Sequence, residues 1–278
     1  MPPKKQNKEI LHITTTGDRM KALICLVKRY SDSMADSGWT FHKKGIQIHS
    51  VDAGFVCMLE VTVGKDFFES YKSTKEFELG LEVNDLEKLR EICALAGEQE
   101  LTIRITENMD KFLLKYGNVN RNMDIPRNEI TKAKGDSLTN VYNNSKVIGK
   151  IKMEEMRLFL RASATWDGDS ERISTVEKKG KSFEMSTQIE EKLDEVVLDL
   201  NKAMDNKFKD KTLKILLLSK NLNTALKQMT PLTSSIVMRG NTDFPMMIMA
   251  KDRDPEDRLD FKEEINWWFM LAPRIESD

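Results

Sequence analysis

Along this chain the spacing of apolar residues changes from strand-like to helix-like and back, and it does so in the same order in each half. Leu213 to Leu218 is a short apolar run suited to a buried strand, and Ser219 is a good helix N-cap behind it. Leu222, Ala225, Leu226 and Met229 then recur at helical spacing until Thr230-Pro231 stops the helix. Strands at Ser234 to Arg239 and Phe244 to Ala250 follow, separated by the turn residues Gly240-Asn241. The same strand, helix, strand, strand order runs from Phe77 to Tyr116, with Asn84 as the expected cap of the helix in LEKLREICALAG. Internal duplication is the plan this implies, each helix burying its stripe against a sheet.

Taken in order, Ile10 to Thr15 reads as a strand and Gly17-Asp18 opens a helix capped by Asp18. Its stripe is Met20, Leu23, Ile24, Leu26, Val27 and Tyr30, with Lys21, Cys25, Lys28 and Arg29 on the other side. Strands are expected at Trp39 to Lys43, Ile46 to Val51 and Phe55 to Val63, then a short helix or turn over 65–72. Residues 118–146 are Asn-rich with little periodicity and read as a connector, with room for an edge strand near Met123 to Ile125. A strand at Val147 to Lys152 and a helix from Met153 to Ala164 restart the pattern. Strands at Ser170 to Val176, Ser182 to Thr187 and Lys192 to Leu200, a polar loop over 201–210 and a closing strand at Ile265 to Leu271 complete it. Connections this short leave little room for crossover helices, so the sheets are antiparallel and the fold class is α+β. The division is a tail over 1–8, a first domain over 9–117, the connector over 118–146 and a second domain over 147–278.

Composition narrows the function classes. With 40% hydrophobic residues the chain can fill two modest cores, and no apolar run approaches the length of a membrane span. The formal net charge of -1 gives no overall pull toward DNA or membrane, so any nucleic-acid contact needs charge gathered on one surface. Three cysteines without a Cys-x-x-Cys pair fit reduced thiols inside cells, and Met1 to Glu9 lacks the apolar segment of a signal peptide.

Three of the four long helices place cations away from their stripe: Lys21, Lys28 and Arg29; Arg157 and Arg161; Lys220 and Lys227. In the fourth, Glu87 and Glu91 hold the centre of the outer face and Lys88 its flank. Such faces fit ordinary solvation first, as charged outer faces are the rule for surface helices, and they also fit a lining that touches phosphates without reading bases. His12, His42 and His49 have no spaced partners for a metal, Gly64-Lys65 lacks a glycine-rich phosphate loop, and the carboxylates of 251–260 lack calcium-loop spacing. No nucleophile with an adjacent base is legible, so no enzyme, cofactor or metal is expected.

The terminal residues Leu271-Ala272-Pro273-Arg274-Ile275-Glu276 resemble the closing motif of PCNA-type sliding clamps. Thr230-Pro231-Leu232-Thr233-Ser234, Asp243-Phe244-Pro245, Val51-Asp52 with Val56, and LEVNDLEKLREICALAG resemble further segments of that family, over roughly Glu9 to Glu276. The resemblance implies two duplicated clamp domains in each of three subunits, with antiparallel sheets outside and two helices per domain lining a central hole. It implies a processivity factor that encircles duplex DNA without sequence preference and tethers DNA polymerase, the clamp loader and other proteins carrying a clamp-binding peptide. The compartment implied is intracellular, on DNA: the nucleus in a eukaryote, the cytoplasm for an archaeal or viral protein. By the same resemblance Lys21, Lys28, Lys88, Arg161, Lys220 and Lys227 face DNA, with Arg29 and Arg157 beside them. Val51, Val56, Ile130, Pro245, Met270 and Pro273 form the partner-peptide pocket. Two matters stay open from the sequence: a clamp-like protein that binds DNA or scaffolds other factors without closing a ring, and rings of one or of several related chains. The subunit-contact strands are sought near Asp110 to Tyr116 and Ser182 to Thr187.

Overall fold

The computed structural model describes residues 8–28, 37–52, 57–125, 136–164, 172–188, 195–229, 232–252, 261 and 264–273. The first series of elements is β1 (Glu9–Thr16), α1 (Gly17–Lys28), β2 (Ser37–His42), β3 (Gly45–Val51), β4 (Cys57–Gly64), a 3-10 turn (Lys65–Phe67), β5 (Ser70–Ser73), β6 (Phe77–Leu81), α2 (Val83–Ala96), β7 (Glu100–Thr106), β8 (Lys111–Tyr116) and β9 (Val119–Asp124). A helix α3 (Asp136–Asn144) intervenes. The second series is β10 (Lys146–Lys152), α4 (Met153–Ala164), β11 (Ile173–Lys179), β12 (Ser182–Gln188), β13 (Glu195–Asp199), α5 (Leu200–Ala203), β14 (Met204–Asn206), β15 (Thr212–Leu218), α6 (Ser219–Met229), β16 (Ser235–Gly240), β17 (Met246–Met249) and β18 (Ile265–Leu271).

The two series match element for element, and so do their pairings. The contacts β1·β5, β1·β7, β2·β3, β2·β6, β3·β4, β7·β8 and β8·β9 reappear as β10·β14, β10·β16, β11·β12, β11·β15, β12·β13, β16·β17 and β17·β18, all antiparallel. α3 alone among the described elements has no counterpart. One pairing joins the halves: β18 lies against β4 from Ile265↔Val63 to Leu271↔Cys57, making a single nine-stranded sheet.

Alternation along the strands builds two apolar layers on that sheet. Met246 and Ile248 of β17, with Trp267 and Phe269 of β18, point into the main core, which also takes the stripes of α1, α2, α4 and α6. Met247 and Met249, with Trp268 and Met270, point to the opposite face and form a second cluster. Helix packing sets local choices too. A Cβ at Gly17 would run into the Cys93 carbonyl and the Ala96 side chain, so α1 can start against the last turn of α2 only with glycine there. Gly97, at φ +55°, ends α2 in a conformation that disfavours other residues.

Several local expectations are corrected. Thr16, not Asp18, serves the start of α1, its Oγ1 accepting the Arg19 amide at 3.3 Å. Glu82, not Asn84, is the N-cap of α2, and its amide donates to Asp85 Oδ2 at 3.3 Å. Residues 118–146 hold both β9 and α3, and 201–210 hold most of α5 and all of β14. β5, which begins inside 65–72 and ends at Ser73, pairs with β1 as a strand. The Asp110 to Tyr116 and Ser182 to Thr187 strands are interior: β8 lies between β7 and β9, and β12 between β11 and β13. The outermost strands there are β9 and β13. Tyr30 and Thr230-Pro231 lie outside the described residues.

Candidate nucleic-acid interface and partner face

The exposed charge on α1, α2, α4 and α6 consists of Lys88, Arg157, Arg161, Lys220 and Lys227 against Asp18, Glu91 and Glu154. Five exposed cations to three exposed carboxylates give these four helices a net positive exposed charge on a chain whose sum is -1. Lys88 reaches back toward Asp85 at 3.7 Å while staying largely exposed, a surface pair that leaves its charge available. Near the N-terminal end of α4, Arg157, Lys150 and Lys152 share a recess of about 560 Å³ with Thr233, Ser234 and Ser235. The two lysines were missed in the sequence, although they stand two apart on β10, which puts them on one face of a strand.

Lys28 does not belong to this face. It is buried, and its Nζ is ion-paired with Glu87 of α2, whose other oxygen takes the Arg90 guanidinium at 2.6 Å. α2 covers that flank of α1, so a position seven residues from Lys21 meets a neighbouring helix instead of solvent. Glu87 is correspondingly withdrawn from the outer face that its helical position suggested. Lys21 is half-buried and acts on the Cys93 thiol, which burial above all, and the neighbouring Cys25, push up to about 12 against the lowering pull of Lys21. Arg29 lies outside the described residues.

On the opposite face Val51, Met58 and Met270 stand side by side across β3, β4 and β18. Pro245 and Pro273, both half-buried, flank the Met246↔Leu271 pair at the ends of β17 and β18. Asp52 Oδ1 accepts the Cys57 amide at 2.7 Å, tying the end of β3 to the start of β4. Burial first, then the charge of Asp52, raises the Cys57 thiol pKa, so this cysteine is a buried apolar group and no nucleophile. Val56 and Ile130 lie outside the described residues.

Residues 18–133 match the sequence pattern of the family described as proliferating cell nuclear antigen, N-terminal domain. Over that stretch the chain is similar to the PCNA family. It is 24% identical over 252 residues to a DNA polymerase sliding clamp of Thermoplasma volcanium, covering 89% of this chain and 93% of that protein. A 103-residue stretch is 23% identical to a probable DNA polymerase sliding clamp 2 of Paramecium bursaria Chlorella virus 1, spanning 37% of this chain and 38% of that one. The fold superposes on A. fulgidus PCNA, solved with the C-terminal region of FEN-1 bound, with a TM-score of 0.72 at 16% identity over 96% of this chain and all of the other. No helix among the described residues is long and apolar enough to cross a membrane. No group of three or more His, Cys, Asp or Glu side chains there could hold a metal ion.

Proposed function

We propose that this PCNA-type chain is a DNA sliding clamp, three copies closing head to tail around duplex DNA to tether DNA polymerase and repair proteins. The observation that carries this reading is one missing strand pair. Within the chain the ninth strand of the second series, β18, pairs with the fourth strand of the first, β4. The equivalent partners, β9 and β13, each have one described neighbour, β8 and β12, and are not paired with each other. A second copy supplies the junction. All four exposed large hydrophobics among the described residues sit on the elements this junction would bring together: Val119 (46% exposed) on β9, Val197 (48%) on β13, Leu95 (64%) on α2 and Leu158 (57%) on α4. Beside the in-chain junction, α1 touches α6; their counterparts α4 and α2 are the helices exposing leucine. Burying these side chains and pairing the edges removes the feature of sheets most open to misassociation.

The register follows from the repeat. Thr16 and Lys152, which precede α1 and α4, pair with Glu100 and Ser235; following the ladders outward makes Asn120 the counterpart of Trp268. Counting back from the starts of α2 and α6 makes Ser37 equivalent to Ser174, Ser50 to Thr187 and Glu60 to Val197. Since Trp268 faces Glu60, Asn120 of one copy faces Val197 of the next, and Val119 faces Leu198.

The two clamp domains of this proposal are 9–117 and 147–278 joined through 118–146, with β9 continuing the first sheet into the joining stretch. The helices line the hole, where Lys21, Lys88, Arg157, Arg161, Lys220 and Lys227 meet phosphates; Lys28 holds the wall together from behind. Encirclement makes tight contact unnecessary, because many weak phosphate contacts centre the duplex and none stops translation. A tethered polymerase then stays at high effective concentration near the primer end. Partners dock a short apolar peptide over Val51, Met270, Pro245 and Pro273 on the outer face; the similar A. fulgidus PCNA was solved with the C-terminal region of FEN-1 bound. The role involves no covalent chemistry. Loading onto a nicked circular DNA by a clamp loader tests it: the complex survives gel filtration on the circle and is lost when the circle is cut. Equal retention on cut and uncut DNA overturns the ring.

A further inference from the structure

The second apolar layer of the nine-stranded sheet is already occupied by the chain itself. Leu138, Val141 and Tyr142 stand at i, i+3 and i+4 on α3, and Leu138 and Val141 are buried against Val237, Met247, Met249, Trp268 and Met270. The other side of α3 presents Asn140, Asn143 and Asn144 to solvent. Nine residues are too few for a helix to persist alone in water, so α3 owes its form to this seat. Arg239 of β16 holds its C-terminal end. The guanidinium lies 4.0 Å from the centre of the Tyr142 ring, donates to the Tyr142 carbonyl at 3.3 Å and the Ser145 carbonyl at 2.9 Å, and is itself held by Asp252 at 2.8 Å. A cation at the last carbonyls of a helix complements both its unpaired acceptors and its dipole.

Two features set this contact apart from ordinary core packing. Among the described elements α3 alone is outside the repeat, so every described sheet pairing is made without it. Its seat is rich in methionine, with Met58, Met247, Met249 and Met270 in the cluster, and thioether side chains repack around different apolar occupants. We propose that α3 is an in-chain ligand of a helix-binding groove, latched by Arg239, and that a partner peptide with apolar anchors at i, i+3 and i+4 takes the seat by displacing it. The proposal rests on the outer-face docking reading above, since Val51 and Met270 belong to both. It adds that docking there is a competition: the tethered occupant holds the groove at high effective concentration and lets in only partners that outbid it.

The probe that tests this is a fluorescein-labelled synthetic peptide of residues 134–146, added in trans to the full chain. With the anchors of the chain's own helix removed (Leu138→Ser, Val141→Ser, Tyr142→Ser), the peptide binds about ten-fold or more tighter than to the unaltered chain, because the tethered competitor is gone. Arg239→Gln, which loosens the latch only, gives a smaller gain and faster hydrogen exchange at amides 139–144 while the exchange of β18 is unchanged. A peptide carrying the same three serines binds neither protein. Equal affinity of the unaltered and triple-serine chains for the probe, or equal binding of the two peptides, overturns the proposal. If the triple variant does not fold, Arg239→Gln decides alone: unchanged affinity and exchange overturn it. Failure of the docking reading is separately visible, as an unaltered affinity for a polymerase-derived peptide after Met270→Ala with Pro273→Ala.

Discussion

The junction of β18 with β4 and the open edges of β9 and β13 hold equivalent places in the repeat, one closed inside the chain and the other closed, in the proposed ring, by a neighbour. Where it is closed, the paired residues are large and dry: Trp267, Trp268 and Phe269 are fully buried against Val61, Glu60 and Leu59. Where it is open, the matching positions are Val119, Asn120 and Arg121 against Leu198, Val197 and Val196, smaller and more polar residues that tolerate water before assembly. The seam inside the chain carries tryptophan; the proposed seam between copies, which must first meet water, carries valine and asparagine. The difference separates folding from association along one chain.

The strongest way to break this comparison is a carboxylate on each side of the open seam. Val119→Asp with Leu198→Asp should reduce the native mass to that of one chain while the far-UV spectrum is kept, whereas Trp267→Asp should leave no folded protein to weigh. Next in size, Lys28→Ala leaves Glu87 with Arg90 as its remaining partner between α1 and α2 and should cost about 2 kcal/mol of folding stability, a figure lowered because Glu87 is partly solvated. Denaturant titration measures this, and an unshifted midpoint would return Lys28 to the solvent-facing set. Leu158→Ser removes one apolar contact from the helix layer of the seam and should weaken assembly by about 1–2 kcal/mol, read from the dilution at which the ring falls apart. Charge reversal at Lys88, Arg161 and Lys227 should leave the ring intact but weaken DNA retention several-fold, with a shallower salt dependence than the unaltered protein. Smallest of all, Cys93 should resist alkylation at pH 8 in the folded ring, since its thiol titrates near 12, well above the working pH, and should react freely once unfolded.

Much of the fold was legible because the apolar stripes are strong. The helix from Met153 to about Ala164 and the strand over Ile265 to Leu271 were readable, and the repeat itself showed in the order of elements. What stayed hidden was polar by necessity. β9, VNRNMD, buries only Met123 in this chain, so an edge strand awaiting a partner looks like a connector. α3 has just three seated anchors in a polar stretch, too short a period to stand out from its Asn-rich surroundings. Lys28 misled for a different reason: helical spacing separates the sides of α1 but does not say that α2 closes over one of them. The exposure of Lys88, Arg157, Arg161, Lys220 and Lys227 was readable because exposed charge on an amphipathic helix needs no knowledge of neighbours.

The seam itself is tested most directly by cysteines placed across it. With Val119→Cys and Leu198→Cys in one chain, mild oxidation followed by electrophoresis without reductant should give a covalent species of three times the 32.1 kDa of one chain, reversed by reductant. A folded protein that stays at single-chain mass under those conditions would contradict the account.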